Sequence, residues 1–242
     1  MSTSTALFSP ETTLGELVVA RPALARLFER LGLDYCCGGK QTLAAACARR
    51  GLDAATVAAT LEGTLAALDA APTEIDPASL TLAALADHIE ATHHAYVRAE
   101  LPRLVELAER VARKHNGRDP RLAEVLHAVV MLADEMMSHM AKEELVLFPF
   151  VRQLDAGARG DSFHCGSIAN PIRQMEAEHE AAGELLARLR ALTDGFTPDA
   201  ESCNSHRALL AGLAEFEADL HRHVHKENNL LFPRALARAA RA

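Results

Sequence analysis

His139-Met140-Ala141-Lys142-Glu143-Glu144-Leu145-Val146-Leu147-Phe148-Pro149 decides how this chain is read, because the segment is present twice. The second copy is His223-Val224-His225-Lys226-Glu227-Asn228-Asn229-Leu230-Leu231-Phe232-Pro233; the first His, the Lys, the Glu and the Leu-Phe-Pro all recur 84 residues later. Each copy sets His and Glu four residues apart. On a helix that spacing stacks both side chains on one face, a turn apart. Two such faces brought together make a nest of imidazoles and carboxylates, a ligand set for two metal ions. One His-x-x-x-Glu alone is weak evidence, since most helical histidines are surface or satisfied core residues. Two copies with a shared tail are strong evidence. Leu147-Phe148-Pro149 itself reads as packing and as a helix kink or stop.

The duplication extends upstream. His94 and His179 are 85 residues apart, and Leu101, Arg103 and Leu104 fall on Leu186, Arg188 and Leu189 at the same offset. Each half therefore reads as a helix with one His, followed by a helix with His-x-x-x-Glu. Two such helix pairs predict an antiparallel four-helix bundle with approximate twofold symmetry. Bundles build metal sites from inward-facing side chains on opposed helices. The expected ligands are His94, His139, Glu143, His179, His223 and Glu227. The remaining histidines do not all need roles. His93 adjoins His94, but helical phase turns only one of the pair inward, and the match to His179 selects His94.

Bulk properties restrict the alternatives. The chain has 242 residues, 49% of them hydrophobic, enough for a bundle and a small additional domain. No apolar run is long enough to span a membrane. Met1-Ser2-Thr3-Ser4-Thr5 lacks the basic and apolar regions of a signal peptide. The net charge of -8, with no basic tract, argues against nucleic acid and anionic membrane as partners. Five cysteines without a disulfide framework suit a reducing cytoplasm. Ala and Leu dominate and no strand alternation is visible, so the fold class is all-α.

Along the chain, residues 1–10 are expected to be disordered or extended. Thr13 and Glu16 form a capping box for a short helix, with apolar positions continuing through Leu24, Leu27, Phe28 and Leu31. Two further helices fall near 40–50 and 53–70. The small helical domain thus covers 1–70, and 71–79, with Pro72 and Pro77, reads as a linker to the bundle at 80–242. Its helices are expected near 80–114 with a kink at Pro102, 120–153, 171–193 opened by Pro171, and 200–239. His115-Asn116-Gly117-Arg118-Asp119-Pro120 is a turn, and a looser loop carries Gly157, Gly160 and Gly166.

Asp34-Tyr35-Cys36-Cys37-Gly38-Gly39 is the second unusual segment. Adjacent cysteines rarely bridge each other, because the ring is strained. The glycines permit a tight turn with open access to the sulfurs. Thiolates at such a turn can react or hold soft metals; the plainer reading is a pair of small packing residues. Cys47 falls on an apolar helical pattern and reads as core. Cys165, beside His164 in a loop, and Cys203, near a helix start, carry no evident role.

This cysteine motif, followed by a bundle with two His-x-x-x-Glu segments, resembles the iron-sulfur cluster repair di-iron family. The likeness spans residues from about 10 to 235: a short N-terminal domain and then a hemerythrin-like bundle. It implies two non-haem iron ions with bridging oxo or hydroxo species, held by the same six residues. It implies a cytoplasmic role in restoring iron-sulfur proteins after nitric oxide or oxidative damage, with Cys36 and Cys37 tied to function. It also implies carboxylates near the metal that line a path to it. Glu135, one turn before His139, and Glu178, just before His179, match those positions, and both are equally suited to accept hydrogen bonds from ligand imidazoles. Where some relatives carry a further His three residues after His94, this chain has Val97.

Imidazole and carboxylate suit ferrous and ferric iron alike. Iron donation to damaged clusters is the leading expectation, which makes the chain a repair protein more than a classical enzyme. Damaged iron-sulfur proteins and the gases nitric oxide and dioxygen are the expected partners, and a homodimer is admitted. Reversible gas binding or sensing, nitric oxide reduction at two ferrous ions, and a di-zinc or di-manganese structural site are the competing readings.

Overall fold

The computed structural model describes residues 8–68, 76–158 and 167–241, with the backbone alone for 64–68. They are helical; no strand occurs among them, only one antiparallel bridge between Thr13 and Thr42. The chain divides into two compact units. One joins the residues up to Thr81 to His221–Arg234, and the other takes Leu82–Leu220 with Ala235–Ala242.

The first unit opens on helix α1 (Leu14–Ala20). Thr13 and Glu16 form the expected capping box: Thr13 Oγ1 accepts from Glu16 N at 3.3 Å, and Glu16 Oε2 from Thr13 N at 2.9 Å. The apolar run to Leu31 is not one helix. Pro22 opens a separate 3-10 turn (Pro22–Leu24), and α2 (Ala25–Leu31) follows. Gly32, at φ 65°, ends α2 in the left-handed region that a side chain would resist. Helices α3 (Leu43–Arg50, capped by Thr42) and α4 (Ala54–Leu68) complete the series. Leu14, Leu17, Leu24, Phe28, Leu43, Cys47 and Leu61 form the dry centre of this unit. Phe8 joins that core, although it falls within the stretch 1–10 expected to be disordered or extended; residues 1–7 lie outside the described residues. Burying each large apolar side chain contributes roughly 1.5–3 kcal/mol.

Most of the expected linker, 71–75, also lies outside the described residues. Asp76 caps a 3-10 turn at Pro77–Ser79.

The second unit is built on long helices. Helix α5 (Leu82–Ile89) runs through a π turn (Glu90–His94) into α6 (Ala95–His115). Helix α7 (Arg121–Lys142) runs through a π turn (Glu143–Leu147) into α8 (Phe148–Asp155). Helix α9 (Ala169–Leu192) carries Pro171 in its first turn, where no amide hydrogen bond is lost. Helix α10 (Asn204–Lys226) begins in this unit; its end from His221 and the π turn that follows (Glu227–Leu231) belong to the first unit, and α11 (Phe232–Ala239) returns to the second from Ala235. The five-residue turn 116–120 makes α6 and α7 antiparallel neighbours. α7 packs on α9, the Arg190–Glu217 ion pair joins α9 to α10, and Tyr96 stacks on Phe216 to join α6 to α10. The four long helices thus close into a bundle. Pro102 lies inside α6 without ending it.

The π turns are the main departure from the expected helices. The Leu-Phe-Pro tails neither stop nor break the chain: Phe148 keeps helical φ and ψ of -65° and -36°. Pro149 has no N–H to return to the Leu145 carbonyl, and Pro233 has none for Asn229, so the turn ahead of each proline widens instead. Leu147, Phe148, Leu231 and Phe232 are all buried, which agrees with their expected packing role.

Candidate metal centre and cysteine pair

Each π turn coincides with an expected ligand: His94 ends the first, Glu143 starts the second and Glu227 starts the third. Widened turns of this kind recur at functional sites, because the extra residue re-aims a side chain. In the bundle unit, His94, His139, Glu143 and His179 converge and all are buried. Glu143 Oε2 lies 3.3 Å from His94 Nε2 and 3.3 Å from His139 Nε2. His179 Nε2 is 3.1 Å from His139 Nε2. In the other unit, His223 Nε2 lies 3.0 Å from Glu227 Oε1, with both side chains at 0% exposure.

The outer nitrogens show what the inner ones face. His94 Nδ1 lies 2.7 Å from Glu144 Oε1, and Arg98 holds the same carboxylate at 2.6 and 2.7 Å. His139 Nδ1 lies 3.0 Å from Glu178 Oε2, and Lys142 Nζ holds that carboxylate at 2.6 Å. An ionised carboxylate only accepts, so each imidazole carries its proton on Nδ1 and turns the lone pair of Nε2 inward. The inner nitrogens of His94 and His139 then point lone pairs at a carboxylate oxygen. A cation among these atoms turns that repulsion into coordination. This donor set, nitrogen and oxygen without sulfur, fits iron.

Glu144 and Glu178 are themselves tuned. Burial opposes their charge, but hydrogen bonds outweigh it: Arg98 and His94 hold Glu144 below the ordinary carboxylate range, and Lys142, Gln174 and His139 do the same for Glu178. Phe148 stacks on the His94 ring at 5.6 Å, fixing the imidazole plane and excluding water.

Glu178 therefore touches the imidazole of His139, an expected ligand, whereas Glu135 is exposed on α7, and no described hydrogen bond joins it to any of the six expected ligands. Glu144 and Arg98 were not singled out from sequence. Their signals were the Glu143-Glu144 doublet and an Arg four residues after His94 on the same helical face. His93 is buried as well as His94, and pairs with Asp219 at 3.0 Å. Cys203 Sγ lies 3.2 Å from His115 Nε2. His164 and Cys165 lie outside the described residues.

The cysteine pair sits in the first unit against the helix that carries His223. Cys36 is buried and Cys37 half-buried, so the sulfurs are less open than expected. Cys36 N and Cys36 Sγ both donate to Asp34 Oδ1, at 3.1 and 3.2 Å. The Cys37 side chain, burial and the Asp34 charge all push the Cys36 thiol well above the ordinary range, so it holds its proton. Asn229 Nδ2 donates to Cys36 O at 3.1 Å and Tyr35 O at 3.4 Å, and His225 Nδ1 lies 3.3 Å from Tyr35 O. Burial pushes His225 down to about 4, leaving a neutral ring. The Tyr35 ring packs edge-on against His225 at 5.4 Å.

Gly38 and Gly39 have ordinary negative φ. Space explains them instead. A Cβ on Gly39 would lie 2.4 Å from Asn229 Oδ1 and 2.6 Å from Tyr35 O; one on Gly15 would meet the same Asn229 atom at 2.4 Å.

No helix among the described residues is long and apolar enough to cross a membrane. Residues 85–235 match the hemerythrin HHE cation binding domain, and residues 10–64 match a domain of unknown function, DUF542. The chain is 42% identical over 227 residues to the iron-sulfur cluster repair protein YtfE of Musicola paradisiaca (strain Ech703), covering 93% of this chain and 96% of the relative. It is 41% identical over 225 residues to the protein of the same name in Escherichia coli O157:H7, with the same coverage of both chains.

Proposed function

This chain belongs to the family of iron-sulfur cluster repair di-iron proteins, which join a short cysteine domain to a hemerythrin domain, and we propose that it restores clusters damaged by nitric oxide or oxidative stress by donating iron. The observation that carries the reading is the seat of the cysteine pair. Asn229, which holds the Cys36 carbonyl, is two residues from Glu227 on one helical segment.

The proposed ligands are His94, His139, Glu143, His179, His223 and Glu227. Geometry within each unit supports this set: in the bundle unit Glu143 lies 3.3 Å from both His94 and His139 and His179 lies 3.1 Å from His139, and in the other unit His223 lies 3.0 Å from Glu227. When bound, iron supplies redox chemistry and exchangeable coordination positions. The chain's own residues do the rest. Glu144 and Glu178 keep His94 and His139 in the ligating tautomer, and Phe148 keeps the His94 side dry.

Iron leaving for a damaged cluster is cargo, and the thiols are suited to take it. Cys37 is the more exposed of the two. Cys36 carries a proton that must leave before its sulfur can bind iron, and Asp34 Oδ1, at 3.2 Å, is placed to accept it. The test is reactivation of an iron-sulfur hydratase whose cluster has been damaged by nitric oxide. The expected result is recovery with the iron-loaded chain and strong slowing with Cys36→Ser/Cys37→Ser. An unchanged rate in that variant would remove the thiols from the path. No recovery with wild type would remove iron donation.

A further inference from the structure

We propose that Asn229 and His225 are positioning residues that couple metal loading at His223 and Glu227 to the reactivity of Cys36 and Cys37. The inference rests on the reading of His223 and Glu227 as ligands.

Two pairs with the same spacing occupy one stretch of helix. His223 and Glu227 are four apart; so are His225 and Asn229, displaced by two residues. At 100° per residue the second pair lies about 200° round the helix from the first. One face thus carries the imidazole and carboxylate of the metal pair, at 3.0 Å. The opposite face reaches the carbonyls of Tyr35 and Cys36. Between them runs the π turn Glu227–Leu231, in which Phe232 N donates to Glu227 O, five residues back.

A π turn has an obvious alternative, the ordinary α-helical turn. Moving the extra residue out of it would rotate the following residues by about 100° and withdraw the Asn229 donor. Two ties oppose that change: a bound ion drawing Glu227 toward His223, and Asn229 wedged over Gly15 and Gly39. Each wedge glycine leaves room for the amide and nothing more, since a Cβ on either would meet Asn229 Oδ1 at 2.4 Å. The Tyr35–Cys36 carbonyls are therefore held in the same register that the ligands need. Losing the ion loosens the turn, frees the Cys36 backbone and opens the pair. Linkage makes the coupling reciprocal: disturbing Asn229 must weaken metal binding by the factor through which metal tightens the loop.

The position equivalent to Asn229 in the first copy is Leu145, which is 78% exposed and has no amide to offer. The coupling belongs to the second copy alone.

The test is alkylation of Cys36 and Cys37 by N-ethylmaleimide in the full chain under anaerobic conditions, followed by peptide mass spectrometry with iron content measured alongside. Wild type is expected to react about fivefold or more faster after chelator stripping than when loaded with ferrous iron. Asn229→Leu is expected to bring the two rates within about twofold while iron remains bound. Asn229→Asp, which keeps the shape and removes the donor, should do the same. A merely structural role would raise both rates and leave their ratio alone, which would overturn the proposal. Equal rates in wild type with iron bound would overturn the coupling and leave the metal centre standing. A chain that takes up no iron would overturn the metal reading and the coupling with it.

Discussion

Leu145 and Asn229 hold the same place in two copies of one segment, in opposite surroundings. Leu145 is 78% exposed, and Met137, two turns earlier, is 44% exposed. Their counterparts Asn229 and His221 face Tyr35: Asn229 donates to its carbonyl and His221 lies 6.3 Å from its ring. On the side of the proposed ligands the copies agree: His139 and His223, Glu143 and Glu227, Phe148 and Phe232 are all buried. Duplicated segments have thus kept one face and diverged on the other. Positions that repeat serve the shared chemistry. Positions that differ show what the second copy does in addition, which is to seat a cysteine loop.

The comparison breaks first if the shared face is not equally costly in both copies. Phe148→Ala and Phe232→Ala should each destabilise by about 3–5 kcal/mol in urea unfolding, since each removes a fully buried ring. A small loss at either one would mean that the copies are not equivalent there.

Next come the diverged positions. Asn229→Leu removes the Asn229 donor from the Cys36 carbonyl and should cost about 1–3 kcal/mol. The reverse exchange, Leu145→Asn, should stay within about 0.5 kcal/mol of wild type, because its side chain is in water. Similar losses in the two variants would erase the distinction.

Glycine substitutions sharpen the same contrast. Gly39→Ala pushes a methyl into Asn229 and the Tyr35 carbonyl and should destabilise by about 1–3 kcal/mol. Gly183→Ala, in the interior of α9 with open space around its Cβ, should stabilise by about 0.5–1 kcal/mol. Thermal melts distinguish the signs.

The smallest effect is a pH dependence away from both copies. Burial lowers His206 below its ordinary 6.5, so the folded chain favours the neutral ring. Its contribution is complete above pH 6.5 and is lost as pH falls through the lower folded value. His206→Gln should therefore flatten the stability profile on the acid side of neutrality. An unchanged slope would show that the ring is not held neutral.

Much of this was legible in the residues. Thr13 and Glu16 announced α1, the dominance of Ala and Leu announced a helical fold, and the offsets of 84 and 85 residues selected the proposed ligands. What was not legible depends on hydrogen-bond register and on neighbours distant in the chain. A π turn differs from an α turn by one residue in register, and only Pro149 and Pro233 hint at it. Glu144 gains its role from His94, 50 positions away. Glu135 has the right spacing from His139 but is exposed. Gly38 and Gly39 suggested a special backbone angle, whereas crowding by Asp34, Tyr35 and Asn229 is the reason for them.

The repeated faces are proposed to hold two iron ions. Iron per chain, measured on anaerobically purified wild type, Glu143→Ala and Glu227→Ala, tests this most directly. About two irons are expected in wild type and a marked loss in both variants, because Glu143 and Glu227 are the two proposed carboxylate ligands. Stoichiometric zinc in wild type, or two irons retained after either substitution, would contradict it.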